Sequence, residues 1–599
     1  LEEHLDRRTL SLTLTAAKIQ ASQLRPLSSA FPKLDAPLDG HVSLDCAAKG
    51  NAPLWQGMRG VLDLQLGRGV WDAAPEGEGA ASWPLNSAQA NLRFSAKPAP
   101  PQSGEQPREA ALVEVSGSAR VDSPGMARQT QVELKGQAGL DASGKPLWYR
   151  QPKLDVVQTM DLPFNAPGKM TRVAWSGRFE ADTEKGGMSL LDVEGNVGGD
   201  IPFRCAFALQ PTLGARSGAK SPLAVAGHLD IPLFNVRNAA ARLGYALPAE
   251  ASPEAWRRAR FSAQLRGTLK DLQLYSIQAA LDDSAITGQI RLGGPRTKVD
   301  LSVDSLDLDK LAPESRIKPP SKRPEEPLPL AQLRSLALDS SVHIGRLTRS
   351  RLTWENLAGE FTAEGGRFRL NLQAPSFYDG PYRLDVSGDA RGAELKATAN
   401  LRMDRFSVPR ILKDLTGGTA FPAGLADFQV DVDTRGTTDR QLRRNATGTA
   451  HIRVSDGKLG LKDTPPRPAP QPTEASDTGW NARIRQTSAT PASDGSLAFS
   501  RLAASFAIRG GLAVTKDLAL ASNTVNARGD GWISLDDETI DLNITAGIPN
   551  VGGVPVRING PLYDPKLNID KAKMFEGSLV EMFKGVIRLP ANILDQLRR

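Results

Sequence analysis

No apolar run in this 599-residue chain reaches the roughly 18–20 residues that a membrane-spanning helix needs. The chain opens at Leu1 with neither a methionine nor a charged-then-apolar leader. Aromatic residues make up only 6% of it, and no aromatic platform interleaves with a dense Lys/Arg tract, which argues against nucleic acid. Histidines number five (His4, His41, His228, His343 and His451), and none lies at metal-ligand spacing from another His or from a Cys. The two cysteines, Cys46 and Cys205, sit in the strand-like stretches VSLDC and PFRC and are read as small buried core residues. A disulfide between them would close a long loop and contribute about 5 kcal/mol on the chain-entropy model, given an oxidising compartment.

Catalytic signatures are missing too. No Gly-x-Ser-x-Gly elbow with a partner set occurs. The adjacent acids Asp282-Asp283 read as solvated turn residues. Gly214–Ser221 (GARSGAKS) imitates a phosphate loop, but Ala219 separates glycine from Lys220, and Pro222 leads into a strand where a helix N-terminus is required. No catalytic residue, metal ligand or cofactor is therefore expected, and the chain is not read as an enzyme.

What the chain does have is alternation. Leu10–Thr15 (LSLTLT), Leu62–Leu66 (LDLQL), Phe368–Leu372 (FRLNL), Phe428–Val432 (FQVDV) and Ile540–Ile544 (IDLNI) place apolar and polar residues in strict turn. Successive strand side chains point to opposite faces, so the pattern describes half-buried sheet with one apolar side. Fifty-five glycines and 43 prolines punctuate it, with turn pairs at Gly186-Gly187, Gly198-Gly199, Gly293-Gly294, Gly365-Gly366 and Gly552-Gly553. Helical interruptions are few: 234–243, a Ser252-Pro253-Glu254 start leading into Ala255–Arg258, and Ser407–Leu415 stopped by Gly417-Gly418. From Ala572 onward, Phe575, Leu579, Phe583 and Ile587 recur every four residues, the stripe of an amphipathic helix. Residues 97–108, 318–330 and 464–475 are Pro-rich and read as extended, solvated loops.

Net charge is +7, from 74 basic and 67 acidic residues, and both signs are interspersed as on an ordinary solvated surface. Arg443-Arg444 and Arg257-Arg258-Ala259-Arg260 are the local basic clusters that could touch anionic head groups. The apolar face itself must be covered, because exposing it costs about 25 cal/mol per Å². The expected fold is mostly β: an elongated, twisted antiparallel sheet array folded into a trough with an apolar interior, few short helices and a C-terminal amphipathic helix.

Ordered motifs over several hundred residues carry a family resemblance. Residues 345–388 join an alternating strand to Phe377-Tyr378-Asp379-Gly380-Pro381-Tyr382 and a second strand ending in Val386-Ser387-Gly388. Residues 402–460 follow a short helix with Gly424–Phe428 and Ser455-Asp456-Gly457. Residues 518–570 end in Val554-Pro555-Val556 and Leu562-Tyr563-Asp564-Pro565. This order resembles the AsmA family, over roughly residues 225–599 and only vaguely before that. The resemblance implies an inner-membrane anchor N-terminal to this chain, a periplasmic body, and a role in moving phospholipid between the membranes of Gram-negative bacteria. Relatives are grouped with TamB-like, bridge-type lipid-transfer proteins.

The organisation expected on this basis is an N-terminal groove region (1–225), a β region with short helices (226–317), a Pro-rich loop (318–330) and an AsmA-like repeat region (331–463). A second Pro-rich loop (464–480), an AsmA-like C-terminal β region (481–570) and the helix (571–599) complete it. The expected groove residues are Phe368, Leu370, Leu372, Leu384, Val386, Phe428, Val430, Val432, Leu518, Leu520, Ile540, Leu542 and Ile544. Acyl chains of phospholipid, the membrane and envelope proteins are the expected partners. The helix stripe is expected to cap the sheet, dock on a partner or lie on a membrane. The rival reading is a scaffold for envelope proteins that offers strand edges to its partners.

Overall fold

Alternation becomes strand almost throughout: in the computed structural model the chain is mostly β with few short helices, and the sheet does not close into a barrel. The structure describes residues 7–569 except 21–32, 50–53, 73–81, 100–108, 124–126, 163–168, 184–185, 212–222, 249–250, 269, 313–324, 326, 417–422, 461–495, 524, 549–551 and 563–564. The stripe Phe575, Leu579, Phe583, Ile587, the second Pro-rich loop and the whole GARSGAKS segment lie outside the described residues. Two compact units divide the chain: an N-terminal unit (1–249 and 254–294) and a C-terminal unit (250–253 and 295–599).

The N-terminal unit is an antiparallel meander. Arg7–Gln20 pairs with Pro37–Lys49, and the ladder continues through Arg59–Leu66, Ser87–Pro98, Ala111–Ser123 and Ala127–Leu140. It runs on from Pro146–Met160 to Ser284–Gly293, each strand antiparallel to the last. A small side sheet is made of Lys33–Asp35, Gly69–Asp72 and Ser82–Leu85. Both cysteines are buried and unbonded, Cys46 on Pro37–Lys49 and Cys205 on Ile201–Pro211. Burial pushes the Cys205 thiol pKa up.

The C-terminal unit departs from the all-antiparallel expectation at its first pair. Thr297–Asp307 and Leu338–Arg349 run parallel, with Thr297 opposite Leu338 and Asp307 opposite Thr348. Parallel neighbours need a crossover of a dozen or more residues, and the Pro-rich segment supplies it. Its described part is tied down: the Leu328 N–H donates to Thr437 O at 2.9 Å and the Thr438 hydroxyl donates to Glu325 at 2.7 Å. The following helix Leu330–Ser335 sends the Arg334 guanidinium to Ala390 O and Gly392 O at 2.7 and 2.6 Å. From Leu338–Arg349 to Lys566–Ile569 every further pair is antiparallel.

Local turn chemistry agrees with the pattern in most places. Gly365 and Gly366 take φ of 55° and 83°, the left-handed pair that a two-residue hairpin requires. Helix Val236–Leu243 begins where the Asn235 side chain accepts from the Asn238 N–H and ends at left-handed Gly244. Helix Val408–Thr416 also forms where expected. The expected helix after Pro253 does not: those residues make a turn, with Trp256 at φ 61°. The carboxylate of Asp282 accepts the N–H groups of Trp256, Arg257 and Arg258 at 2.6, 2.9 and 3.0 Å, an alternative to helical bonding. Asp282 is thus a structural clamp where a merely solvated acid was expected. Gly552-Gly553, expected as a turn, instead opens the strand Gly552–Pro561 by pairing with Ile548 and Gly547.

Bulges add twist at many strands. Three of them use the same device, a cross-strand aspartate that takes a bulge N–H: Asp39 from Lys18 at 2.8 Å, Asp427 from Arg405 at 2.9 Å and Asp517 from Ser505 at 2.9 Å. Lys18 and Arg405 stand at φ of 53° and 50°, which costs free energy that the clamped N–H helps to offset.

Candidate functional site

Residues directly opposite on paired strands point to the same face, so the register identifies the surface each side chain belongs to. One apolar row crosses the C-terminal unit through Leu301, Val342, Leu372, Leu384, Leu401 and Val430. The adjacent row runs Phe361, Leu370, Val386, Ala399 and Val432. The next holds Ala363, Phe368, Gly388, Ala397 and Thr434. Further along, Leu518 and Ile544 flank Gly529, and Ile533 stands opposite Ile540.

Burial along this face is graded. Leu384, Phe428, Val430, Leu520, Ile540, Leu542 and Ile544 lie buried in one hydrophobic cluster of the C-terminal unit. Leu372, Val386, Val432 and Leu518 are partly buried and pack against that cluster. Phe368 and Leu370 are half-buried outside it, and the Phe368 ring sits 6.2 Å from Phe361. All thirteen expected residues therefore join an apolar surface, seven of them inside its closed part and six at its more open rows. Sequence reasoning missed Phe361 and Ala399, which share a row with Leu370; the signal that finds them is strand register, which alternation alone does not supply.

Helix Val408–Thr416 covers part of this face by burying Val408, Ile411 and Leu412 completely or nearly so. Beside it, Trp354, Phe377 and Tyr382 form an aromatic cluster, with Trp354 stacked 5.2 Å from Phe377 and edge-on to Tyr382 at 6.0 Å. Tyr378 fastens the helix: its hydroxyl donates to Asp414 at 2.6 Å and accepts from the Thr353 N–H at 3.2 Å. Burial, and then the hydrogen bond to Asp414, push the Tyr378 hydroxyl well above the usual tyrosine pKa; burial alone does the same for Tyr382.

The N-terminal unit has its own apolar face, built the same way. One row is Leu14, Val42, Leu62, Leu92 and Leu134, and another is Leu12, Leu44, Phe94 and Val115. Val42, Leu62, Leu92 and Leu134 are only half-buried. On the outer strand Arg7–Gln20, Leu10, Leu12 and Leu14 are 51%, 44% and 55% exposed.

The opposite face is polar and self-compensated. Hydrogen bonds from Arg391 hold the Asp389 carboxyl far below its usual range, and Arg557 and Arg291 lower Asp541 and Asp271 in the same way. An open concavity of about 1210 Å³ has Arg367, Arg369, Asp389, Lys396 and Arg435 on its walls, together with Ala363, Phe368, Gly388 and Ala397 of the third row. A second, of about 700 Å³, has Arg402, Asp404, Asp427, Arg453 and Asp517 on its walls. The larger is lined by more basic than acidic side chains and the smaller by both signs, and among the described residues no group of three or more His, Cys, Asp or Glu side chains is placed to hold a metal. No helix among the described residues is long and apolar enough to cross a membrane.

Residues 235–518, a little under half of the chain, match the model of the AsmA family. The match takes in nine of the thirteen expected groove residues; Leu520, Ile540, Leu542 and Ile544 lie beyond it. No curated protein matched the chain in the comparison made.

Proposed function

We propose that this chain, AsmA-like over residues 235–518, is the periplasmic body of an inner-membrane-anchored protein that carries phospholipid between the two membranes. Acyl chains lie on the apolar sheet face, head groups stay at its polar margin, and no bond is made or broken. The observation that carries this reading is the half-open set of rows through Phe361, Phe368, Leu370, Leu372 and Val386. An apolar row left half-exposed on every strand is costly unless something apolar rests on it. Each CH₂ taken from water gains about 0.8 kcal/mol without any specific contact, so a chain is held yet free to slide.

Native mass spectrometry with lipid extraction, on protein purified from Gram-negative cells in mild detergent, tests it. Co-purifying phospholipid is expected, and Leu370→Asp with Leu372→Asp is expected to abolish it while circular dichroism stays that of the wild type. Val430 is a poor probe, because at 5% exposure an aspartate there would unfold the sheet before it displaced lipid. A folded wild type that never carries lipid sinks the reading.

One observation favours the scaffold alternative. Among the described residues Arg7–Gln20 pairs on one side only, with Leu10, Leu12 and Leu14 exposed, and such an edge is a template for an added strand. Lipid-free protein that captures a β-strand peptide along this edge would move the assignment there.

A further inference from the structure

Apart from Phe377 and Gly380, which close a hairpin, five phenylalanines of the sheet stand directly opposite a glycine on the next strand: Phe94 and Gly60, Phe203 and Gly195, Phe207 and Gly227, Phe368 and Gly388, Phe499 and Gly457. In every pair the ring lies across the glycine. A β-carbon built there would fall 2.5 Å from Phe94, 2.4 Å from Phe203, 2.8 Å from Phe207, 2.3 Å from Phe368 and 2.0 Å from Phe499. Those separations are shorter than real β-carbons tolerate, so a side chain at the glycine and the ring in its present place exclude one another. A ring lying on the sheet adds only its thickness to the surface. An upright ring projects its full length into the space above.

Four of the five rings, Phe94, Phe203, Phe207 and Phe368, are half-buried, and only Phe499 is closed in, at 3% exposure. We propose that the glycines of the open pairs set the height of the apolar floor: Gly195 and Gly388 are positioning residues that keep Phe203 and Phe368 flat, so that an acyl chain passes over the rings. This rests on the lipid reading above. Glycine in a strand interior weakens the strand, and its recurrence under rings needs a reason beyond pairing. In the closed pair, Phe499 on Gly457, the same arrangement packs a core and supplies the contrast.

Gly388 and Gly195 are the informative sites. At Gly60 and Gly227 a backbone oxygen, Ser43 O at 2.6 Å or Ala206 O at 2.3 Å, also excludes a β-carbon. At Gly388 the three nearest atoms all belong to the Phe368 ring, and at Gly195 they are side-chain atoms of Phe203 and Trp175. An alanine at Gly388 can therefore be accommodated by lifting one ring.

The test uses the full chain, with transfer of a fluorescent phosphatidylethanolamine between vesicles and photocrosslinking of a diazirine-bearing acyl chain as readouts. Gly388→Ala is expected to lower the transfer rate and the crosslinking yield several-fold without changing the circular dichroism spectrum. Adding Phe368→Leu, which removes the ring that must rise, is expected to restore most of the loss. Gly457→Ala is expected to lower Tm while leaving transfer unchanged below the transition; a purely structural role would give Gly388→Ala that same pattern. Wild-type transfer with an indifferent Gly388→Ala, or no recovery in the double variant, overturns the floor-height assignment and leaves the lipid reading standing. Absence of transfer and crosslinking in the wild type removes both.

Discussion

In the N-terminal unit Val42, Leu62, Leu92 and Leu134 form an apolar row that stays half-exposed, whereas in the C-terminal unit Leu384, Leu401 and Val430 continue a comparable row into a closed cluster. Strand pattern does not separate them, since both units alternate apolar and polar residues. The covering elements do. Helix Val408–Thr416 inserts Val408, Ile411 and Leu412 in the C-terminal unit. Helix Val236–Leu243 in the N-terminal unit buries two alanines and one leucine. An alternating strand makes an apolar face; whether that face becomes a core or a surface depends on what is laid over it.

The sharpest way to break this comparison is a matched pair of truncations. Ile411→Ala removes a side chain with 0% exposure and is expected to cost about 2–5 kcal/mol, because little can collapse into the cavity. Leu92→Ala on the half-open row is expected to cost nearer 1 kcal/mol, since part of that side chain already meets water. Urea titrations of both variants, followed by tryptophan fluorescence, measure the difference, and equal losses would erase the distinction between the units.

A smaller effect sharpens the role of the covering helix. Tyr378→Phe leaves the Thr353 N–H without its acceptor and Asp414 without its donor, at an expected cost of about 1–3 kcal/mol. The smallest effect is in pH. Tyr378 and Tyr382 have folded pKa values raised above the unfolded one, so their contribution is complete below about pH 10 and is lost as pH rises beyond it. Tyr149 of the N-terminal unit is also raised by burial, so the contrast is one tyrosine against two. Alkaline titration of stability in Tyr378→Phe/Tyr382→Phe should show a flatter decline above pH 10 than the wild type, and an unchanged slope would count against burial as the cause.

Much of the fold was legible because period-2 alternation has one structural meaning over lengths such as Phe368–Leu372. Helix 236–243 was legible from its sequence, and the structure adds the Asn235 cap and the left-handed Gly244. The turn at Trp256 was not, since its cause is the Asp282 carboxylate, distant in sequence and brought in by strand pairing. The parallel pair Thr297–Asp307 with Leu338–Arg349 was hidden for a similar reason: a Pro-rich segment reads as a loop, and only its contacts with Thr437 and Thr438 reveal a strap.

The candidate face divides in the same way. The sequence by itself determined that Phe368, Leu370, Phe428 and Ile540 point to the apolar side of their strands, because side-chain direction is a local property of the backbone. Only the tertiary structure decided that Ile540 is shut away while Leu370 stays half-open, and that Phe368 lies down on Gly388. Burial and ring orientation are set by residues far along the chain, through register and through the helix that covers one stretch of sheet and not another.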